Sequence, residues 1–101
     1  MLREGDWDGR MLIKREAVRA VTSDVGAPGT CGIGWWSNNE GKMTALPRDA
    51  FWAAGAQHQT MLVIPSLKLV AVRNGGALSG SEGYDSARDR LLFVPLIEAV
   101  K

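Results

Sequence analysis

The sequence predicts an α+β domain in which an antiparallel sheet of three to four strands lies between a short N-terminal helix and a C-terminal helix. The apolar runs Met61–Ile64 and Leu69–Val72 flank the breaker Pro65–Lys68. Short runs rich in Val and Ile, joined by a few breaker residues, are typical of a β-hairpin. Apolar residues with helical spacing lie before and after this hairpin, near the two ends of the chain.

Composition excludes several classes of partner. The chain has 101 residues and a formal net charge of +1, which fits one domain and offers no charged surface for nucleic acid or an acidic membrane. No apolar run approaches the roughly 18–20 residues of a membrane span. The N-terminus lacks the apolar core of a signal peptide and resembles the middle of a domain. We therefore expect no nucleic-acid partner and no membrane span.

Metal and cofactor chemistry is not indicated either. The single Cys31 excludes an internal disulfide and a cysteine-based metal site, and we expect it to be a small buried residue. One histidine, His58, among scattered acids gives no ligand spacing for a metal ion. The glycines of Gly32–Trp36 do not have the spacing of a nucleotide-binding loop. The sequence thus predicts no metal and no cofactor.

The N-terminal part predicts a turn followed by a short helix. Asp8-Gly9 indicates the turn, and 10–13 is either a short strand or an extended approach to the helix. Lys14 is a poor N-cap, so the start of the helix is not sharply defined. The solvent-facing side of this helix is expected to carry Arg15, Glu16 and Arg19. The apolar face has helical spacing and consists of Ile13, Ala17, Val18 and Val21.

The middle of the chain alternates between loops and short apolar segments. Residues 22–30 are rich in Gly, Pro, Ser and Asp and predict a loop. Gly32–Trp36 predicts a strand, and strand alternation places one of its two tryptophans toward the core and the other toward a cleft or solvent. A polar turn is expected at 37–42 and an irregular segment at 43–49. Asp49 is expected to be a cap or turn residue.

The C-terminal part predicts a loop and an interrupted helix. Residues 77–84 are expected to form a mobile surface loop, and Asp85 or Ser86 to cap a helix over Ala87–Val100. Pro95 inside that helix would cost about 3 kcal/mol, so a kink or restart is expected near Phe93–Val94. The apolar positions of this helix are Leu92, Phe93, Leu96, Ile97 and Val100.

The candidate site lies where the first strand of the central hairpin begins. The segment consists of Ala56, Gln57, His58 and Gln59, small and polar residues with the only histidine of the chain. His58 either lines a site, with a smaller role as a proton carrier, or is a structural histidine at a strand start. Gln57 and Gln59 either donate hydrogen bonds to a substrate carbonyl or are polar strand-edge residues, and a core-facing amide is an equal alternative for Gln59.

An ordered series of segments resembles a known family. The series is Asp8–Leu12, Glu16–Val18, Gly32–Trp36, Leu46–Gly55, Gln59–Arg73 and Leu92–Val100. In order and spacing, across nearly the whole chain, it resembles the C-terminal segment of the serine β-lactamase-like family, which includes penicillin-binding proteins, class C β-lactamases and related esterases.

The resemblance implies that two family motifs lie outside this chain. The family uses a Ser-x-x-Lys nucleophile motif and then a Tyr-x-Asn-like motif. No serine here has a lysine three residues later, and Tyr84-Asp85-Ser86 has the wrong place in the order. The third family motif falls on Ala56-Gln57-His58, with no lysine at its first position and His58 where glycine is expected. In the family, this strand turns a backbone N–H toward the acyl oxyanion, a contact worth about 3–4 kcal/mol in the transition state.

The resemblance therefore implies the C-terminal fragment of a serine hydrolase that performs acyl transfer on β-lactam, peptide or ester substrates. The expected substrate-binding residues are Ala56, Gln57, His58 and Gln59, no catalytic residue is expected, and the chain alone should be inactive. Its implied partners are the N-terminal part of the same domain and a small acyl substrate. Many family members are periplasmic or secreted. The alternatives are a noncatalytic binding module, or a degenerate family member, that uses a tryptophan-rich uncovered sheet face.

Overall fold

The computed structural model describes residues 1–23, 25–26, 32–78 and 83–101 and confirms the α+β class. The strands are β1 (Asp6–Trp7), β2 (Arg10–Met11), β3 (Trp36–Ser37), β4 (Phe51–Gly55), β5 (Gln59–Ile64) and β6 (Leu69–Arg73), and the helices are α1 (Arg15–Thr22), α2 (Tyr84–Arg88) and α3 (Val94–Val100). The main sheet has four antiparallel strands in the order β3-β4-β5-β6, and β1 and β2 form a separate two-stranded ribbon.

The predicted central hairpin is confirmed as β5 and β6. A 3-10 turn at Pro65–Leu67 joins the two strands, and Lys68 follows in the left-handed conformation with φ 50°. The carboxylate of Asp49 accepts hydrogen bonds from the Ser66 N–H at 2.6 Å and from the Ser66 hydroxyl at 2.9 Å. Asp49 therefore holds this turn from a preceding loop.

The hydrophobic core lies between one face of the main sheet and the C-terminal helices. Trp52 pairs with Leu62 across β4 and β5, and strand alternation places Ile64 on the same face. The rings of Trp52 and Phe93 meet edge to face, with centroids 5.5 Å apart. The buried members of this core are Leu46, Ala50, Trp52, Leu62, Ile64, Phe93 and Ile97.

The C-terminal helix is interrupted, as its proline predicts. A π-helical segment, Asp89–Phe93, separates α2 from α3, and Pro95 lies in the first turn of α3. Proline cannot donate a hydrogen bond to the preceding turn, so a first-turn position avoids most of its cost. The predicted start is wrong, because Gly83 and not Asp85 or Ser86 is the N-cap of α2.

The N-terminal elements also follow the sequence. Asp8 and Gly9 have φ values of 52° and 80° and connect β1 to β2. Lys14 is the N-cap of α1 and makes no side-chain capping bond. The predicted apolar face is narrower than its spacing suggests, because Ile13 precedes the helix and is exposed, while Val18 is the one helix residue buried among those described.

A pH-dependent contact joins the N-terminal segment to α1. Arg19 donates hydrogen bonds to the Glu4 carboxylate at 2.9 and 3.3 Å, and this bond lowers the pKa of Glu4 below its ordinary value of 4.5. Because the folded-state pKa is depressed, the contact contributes stability above the unfolded-state pKa and loses it as pH falls through the folded-state pKa. We expect NMR titration of the Glu4 side chain to give a midpoint below 4.5, and Arg19→Gln to raise it. A midpoint unchanged by that substitution would contradict the assignment.

The strand predicted at Gly32–Trp36 is wrong in its bounds. Of these residues, Trp36 alone belongs to β3. The Gly32 N–H donates to the Trp35 carbonyl at 2.6 Å, and Gly34 has φ 80°, a left-handed conformation that does not continue a strand. The glycines form a turn that leads into a very short edge strand.

The polar turn predicted at 37–42 begins with two buried residues, Ser37 and Asn38. Buried polar groups require hydrogen-bond partners, and the side chain of Asn38 supplies these for a whole loop. Its amide nitrogen donates to the carbonyls of Met43, Leu46 and Pro47 at 3.0, 3.0 and 3.1 Å, and its oxygen accepts from the Met43 N–H at 2.9 Å.

The tryptophans of the sheet have separate environments. Trp35 is half-buried, with its ring edge to face against Phe51 at a centroid distance of 5.3 Å. Trp36 is 39% exposed, and Trp52 is buried in the core. The adjacent pair divides between a packed and a more exposed environment, but strand alternation is not the reason, because Trp35 lies outside β3 and the more exposed Trp36 pairs with the core residue Trp52. The face opposite the core instead exposes an aliphatic patch formed by Met61, Val70 and Val72.

Some expectations lie outside the described residues. These are the burial of Cys31 and the parts of the predicted loops that fall at 24, 27–30 and 79–82. Within the described ranges, no helix has the length and apolar character needed to cross a membrane.

Candidate functional site

The predicted site segment forms a tight turn between β4 and β5. Gly55 pairs with Gln59 at the end of the two strands, and the Gln59 N–H donates to the Ala56 carbonyl across the turn. Gln57 has φ 58° and ψ 32°, and His58 has φ 63°. Two consecutive residues with positive φ characterise the type I′ hairpin turn, in which Asn-Gly is the favoured pair. Neither residue here is glycine, so the turn holds backbone strain of about 1–3 kcal/mol per residue.

Arg73, at the end of β6, holds the carbonyl side of this turn. Its guanidinium donates to the carbonyls of Gln57 and His58, both at 3.3 Å, and to the Gly76 carbonyl at 2.6 Å. The Thr60 hydroxyl adds a hydrogen bond to the His58 carbonyl at 3.1 Å. Each of these bonds from Arg73 is to a main-chain carbonyl. They fix the strained conformation in place.

His58 is buried, and its ring contacts the segment that follows β6. The Nδ1 atom accepts a hydrogen bond from the Leu78 N–H at 3.1 Å, so the proton of the neutral ring resides on Nε2. At 2% exposure the imidazole has almost no contact with solvent. These contacts are those of the structural histidine, one of the two interpretations that the sequence left open.

The side-chain amide of Gln59 forms hydrogen bonds with main-chain groups. Its side-chain oxygen accepts from the Gly75 N–H at 3.0 Å, and its amide nitrogen donates to the Gly75 carbonyl. The Gln59 amide thus bonds both the N–H and the carbonyl of Gly75 and connects β5 to the segment after β6. Ala56 and Gln57, in contrast, are exposed. Of the four predicted site residues, two face solvent, and the side chains of the other two bind main-chain groups of the segment after β6.

A buried arginine supports the turn from behind, and sequence reasoning missed it. Arg88 of α2 is 3% exposed and donates from Nε to the Thr60 hydroxyl at 3.1 Å. Its Nη1 atom lies 3.3 Å from the carboxylate of Asp85, one turn earlier in the same helix. The Asp-x-x-Arg spacing was the available signal. Arg88, Thr60 and His58 form a continuous path from α2 to the turn.

A shallow cleft of about 290 Å³ opens beside the turn on the face opposite the core. Ala53, Met61 and Val72 are paired across β4, β5 and β6 and form its floor. Gly55 and Gln59 lie at the end nearest the turn. The described residues of the lining are Ala53, Ala54, Gly55, Gln59, Thr60, Met61, Val72 and Asn74.

The cleft can bind but contains no reactive group of its own. Within the described lining, the one hydroxyl is that of Thr60, which donates to the His58 carbonyl and accepts from Arg88. Covalent acyl transfer needs a nucleophile beside a general base, and the described part of the lining contains no such pair. Across the described ranges, no group of three or more His, Cys, Asp or Glu side chains could hold a metal ion.

Comparison of the chain with family models, curated protein sequences and solved structures finds no match. The site is therefore interpreted from its own geometry and from the resemblance described above.

The strained turn yields a prediction with an unusual sign. Gln57→Gly should raise the free energy of unfolding by about 0.5–1 kcal/mol, because relief of the left-handed strain exceeds the entropy cost of glycine. Gln57→Ala is the matched control, since it removes the same exposed side chain but keeps Cβ and should leave stability nearly unchanged. Urea unfolding of the three proteins tests this. Equal stability of the Gly and Ala variants would show that the turn holds no strain at this residue.

Proposed function

We propose that this chain is the C-terminal, site-lining part of a serine hydrolase of the β-lactamase-like family. In the intact domain, a serine outside this chain attacks the carbonyl of an acyl substrate. The turn at Ala56–His58 and the adjoining cleft form the opposite wall of the site. The chain supplies shape and main-chain contacts, and the remainder of the domain supplies the nucleophile and its base.

The observation that carries the proposal is the backbone at His58. The resemblance expects glycine at this position, and φ there is 63°, a conformation that glycine adopts without cost and that other residues rarely adopt. Gln57, at the middle position of the same motif, also has positive φ. Glycine would adopt this backbone with less strain than histidine, which supports the alignment of the motif on this segment. The segment departs from the family pattern in its side chains and also in its secondary structure, because the family motif lies on a strand and Ala56–His58 form a turn.

The hydrogen bonding of the turn refines which groups could contact a substrate. The sequence pointed to a main-chain N–H near His58-Gln59 as a donor to the acyl oxyanion. The Gln59 N–H is already donated to the Ala56 carbonyl, so Gln59 contributes no donor while the turn is closed. Oxyanion stabilisation by this segment then depends on the other N–H groups of the turn.

The absence of a nucleophile predicts that the isolated chain is inactive. No serine of the sequence precedes a lysine at the Ser-x-x-Lys spacing, and the cleft contains no free hydroxyl–base pair. The DNA upstream of the Met1 codon should continue in frame through a Ser-x-x-Lys segment. A fluorophosphonate probe should label that serine in the protein from the whole frame and should leave the 101-residue chain unlabelled.

Two results would overturn this proposal. One is an upstream frame that closes before any Ser-x-x-Lys segment. The other is stoichiometric phosphonylation of a serine within the isolated chain, since the nucleophile would then lie in the part that we assign as inert.

A noncatalytic binding module is the second candidate, and the aliphatic patch favours it. Met61, Val70 and Val72 are 42%, 47% and 58% exposed, and clustered exposed apolar side chains often mark a contact surface. A closed upstream frame, together with a monomer that unfolds cooperatively, would favour the module over the hydrolase fragment.

A further inference from the structure

We infer that the cleft beside the turn accepts the apolar acyl group of an uncharged ester and disfavours substrates that carry a carboxylate. This inference rests on the proposed function for its catalytic meaning, because the cleft becomes a substrate site only next to a nucleophile. It selects simple esters from the three substrate classes that the resemblance implies, since β-lactam antibiotics and peptides with a free C-terminus carry a carboxylate.

The floor of the cleft is apolar and continuous. Ala53, Met61 and Val72 are direct neighbours on three adjacent strands, so their side chains form one row on the face opposite the core. The volume of about 290 Å³ lies at the lower end of the range for small-molecule sites. A short acyl chain fits this size and this surface.

Among the residues that the structure describes, the lining contains no charged side chain. Its polar side chains are the amides of Gln59 and Asn74 and the hydroxyl of Thr60. Gln59 and Thr60 already bond within the protein. A carboxylate that loses water on entering the cleft would need charge-assisted donors to offset its desolvation. The lining offers no cation for this role.

The two arginines nearest the turn are directed into the protein. Arg73 donates to the carbonyls of Gln57, His58 and Gly76. Arg88 is buried and contacts Asp85 and the Thr60 hydroxyl. Redirecting either guanidinium toward a ligand would break the bonds that hold the turn. Ala56, at the exposed corner of the turn, adds no charge.

A matched pair of ligands tests the inference on the chain itself. Methyl hexanoate and hexanoate share one apolar tail and differ in charge. In an NMR titration of the amide signals, the ester should shift Gly55, Met61 and Val72, with millimolar affinity suited to a small open cleft. Hexanoate should bind about tenfold more weakly or worse, because its charge is desolvated without a partner.

Three variants locate the effect. Ala56→Lys places a cation beside the cleft and should strengthen hexanoate binding severalfold, which would reduce or reverse the preference for the ester. Ser66→Lys adds the same charge at the opposite end of the β5–β6 hairpin and should change neither. Met61→Glu places a carboxylate on the floor and should abolish binding of the ester, and because Met61 is exposed the fold should tolerate the change.

The outcomes separate this inference from the proposed function. Hexanoate binding as tight as that of the ester, shifts that map away from the cleft, or no shift with either ligand would each overturn the inference. Phosphonylation of an upstream serine would still support the hydrolase in those cases. Selective ester binding combined with a closed upstream frame would retain the neutral-ligand cleft and reject the hydrolase.

Discussion

Asn38→Ala should lower the free energy of unfolding by about 3 kcal/mol, because it leaves several buried main-chain groups without partners. The Asn38 side chain is 1% exposed and makes four hydrogen bonds to a loop that has no regular secondary structure. Three are donated to carbonyls and one is accepted from an N–H. Removal of this amide would leave the loop before β4 without its central support.

Two further variants, one at Asn38 and one at its neighbour Asn39, make the test specific. Asn38→Asp keeps the acceptor for the Met43 N–H but directs an anionic oxygen at the three carbonyls, so it should destabilise at least as strongly as Ala. Asn39→Ala is the matched control, because this neighbour is exposed and its side chain donates to the Arg48 carbonyl at 3.0 Å at the surface, so its removal should cost less than about 1 kcal/mol. Urea unfolding midpoints provide the comparison. Equal costs at the two asparagines would contradict the organising role of Asn38.

Phe93→Ala should cost about 3–5 kcal/mol, the range for removal of a large buried aromatic side chain. Phe93 is 0% exposed and lies against Trp52 at the centre of the core between the sheet and the C-terminal helices. Small domains are stable by only about 5–15 kcal/mol. The variant should therefore lose most or all of its cooperative unfolding transition.

The control for this prediction is Leu91→Ala in the same π-helical segment. Leu91 is 37% exposed, so its removal leaves no large cavity and should cost under about 1 kcal/mol. Phe93→Leu keeps much of the volume and should fall between the two. Thermal melts followed by circular dichroism rank the three variants. If Leu91→Ala were as destabilising as Phe93→Ala, the assignment of the Phe93 side of this segment as its core-facing side would be contradicted.

The sequence predicts those elements of the fold that are determined by residues close together in the chain. Pro65 between two Val-rich runs defines the β5–β6 hairpin, because proline and the following left-handed Lys68 end one strand and begin the next. Pro95 likewise predicts the restart of the C-terminal helix, since its missing N–H disrupts any continuous helix. Each of these features depends on residues within a few positions of one another.

Features that depend on distant residues could not be predicted in this way. Asn38 lies in a stretch with the composition of an exposed turn, and its burial arises only when the loop folds around it. Arg88 has the charge of a surface helix residue, yet Thr60 and the packing of α2 hold it inside. The Asp-x-x-Arg spacing indicates that Arg88 can pair with Asp85, but it does not indicate that Arg88 is buried, and Asn38 has no corresponding signal.

The candidate site combines a position that the local sequence predicts with a backbone conformation that depends on a distant residue. The sequence places Ala56–Gln59 where β5 begins, and in the structure Ala56–His58 form the turn immediately before that strand. It does not predict the left-handed backbone, because Gln57 and His58 are not residues that favour it. The conformation is held by Arg73, which is 16 residues from Gln57 in sequence, so tertiary contacts override local preference.

The most direct test measures the distance between the proposed nucleophile and this turn in the protein from the whole reading frame. A nitroxide-bearing phosphonate on the upstream serine should broaden the amide signals of Gly55–Gln59 and Val72. It should leave those of Ser66 and Lys68, at the far end of the same hairpin, sharp. Broadening confined to other parts of the chain would contradict the assignment of Ala56–His58 as a wall of a serine hydrolase site.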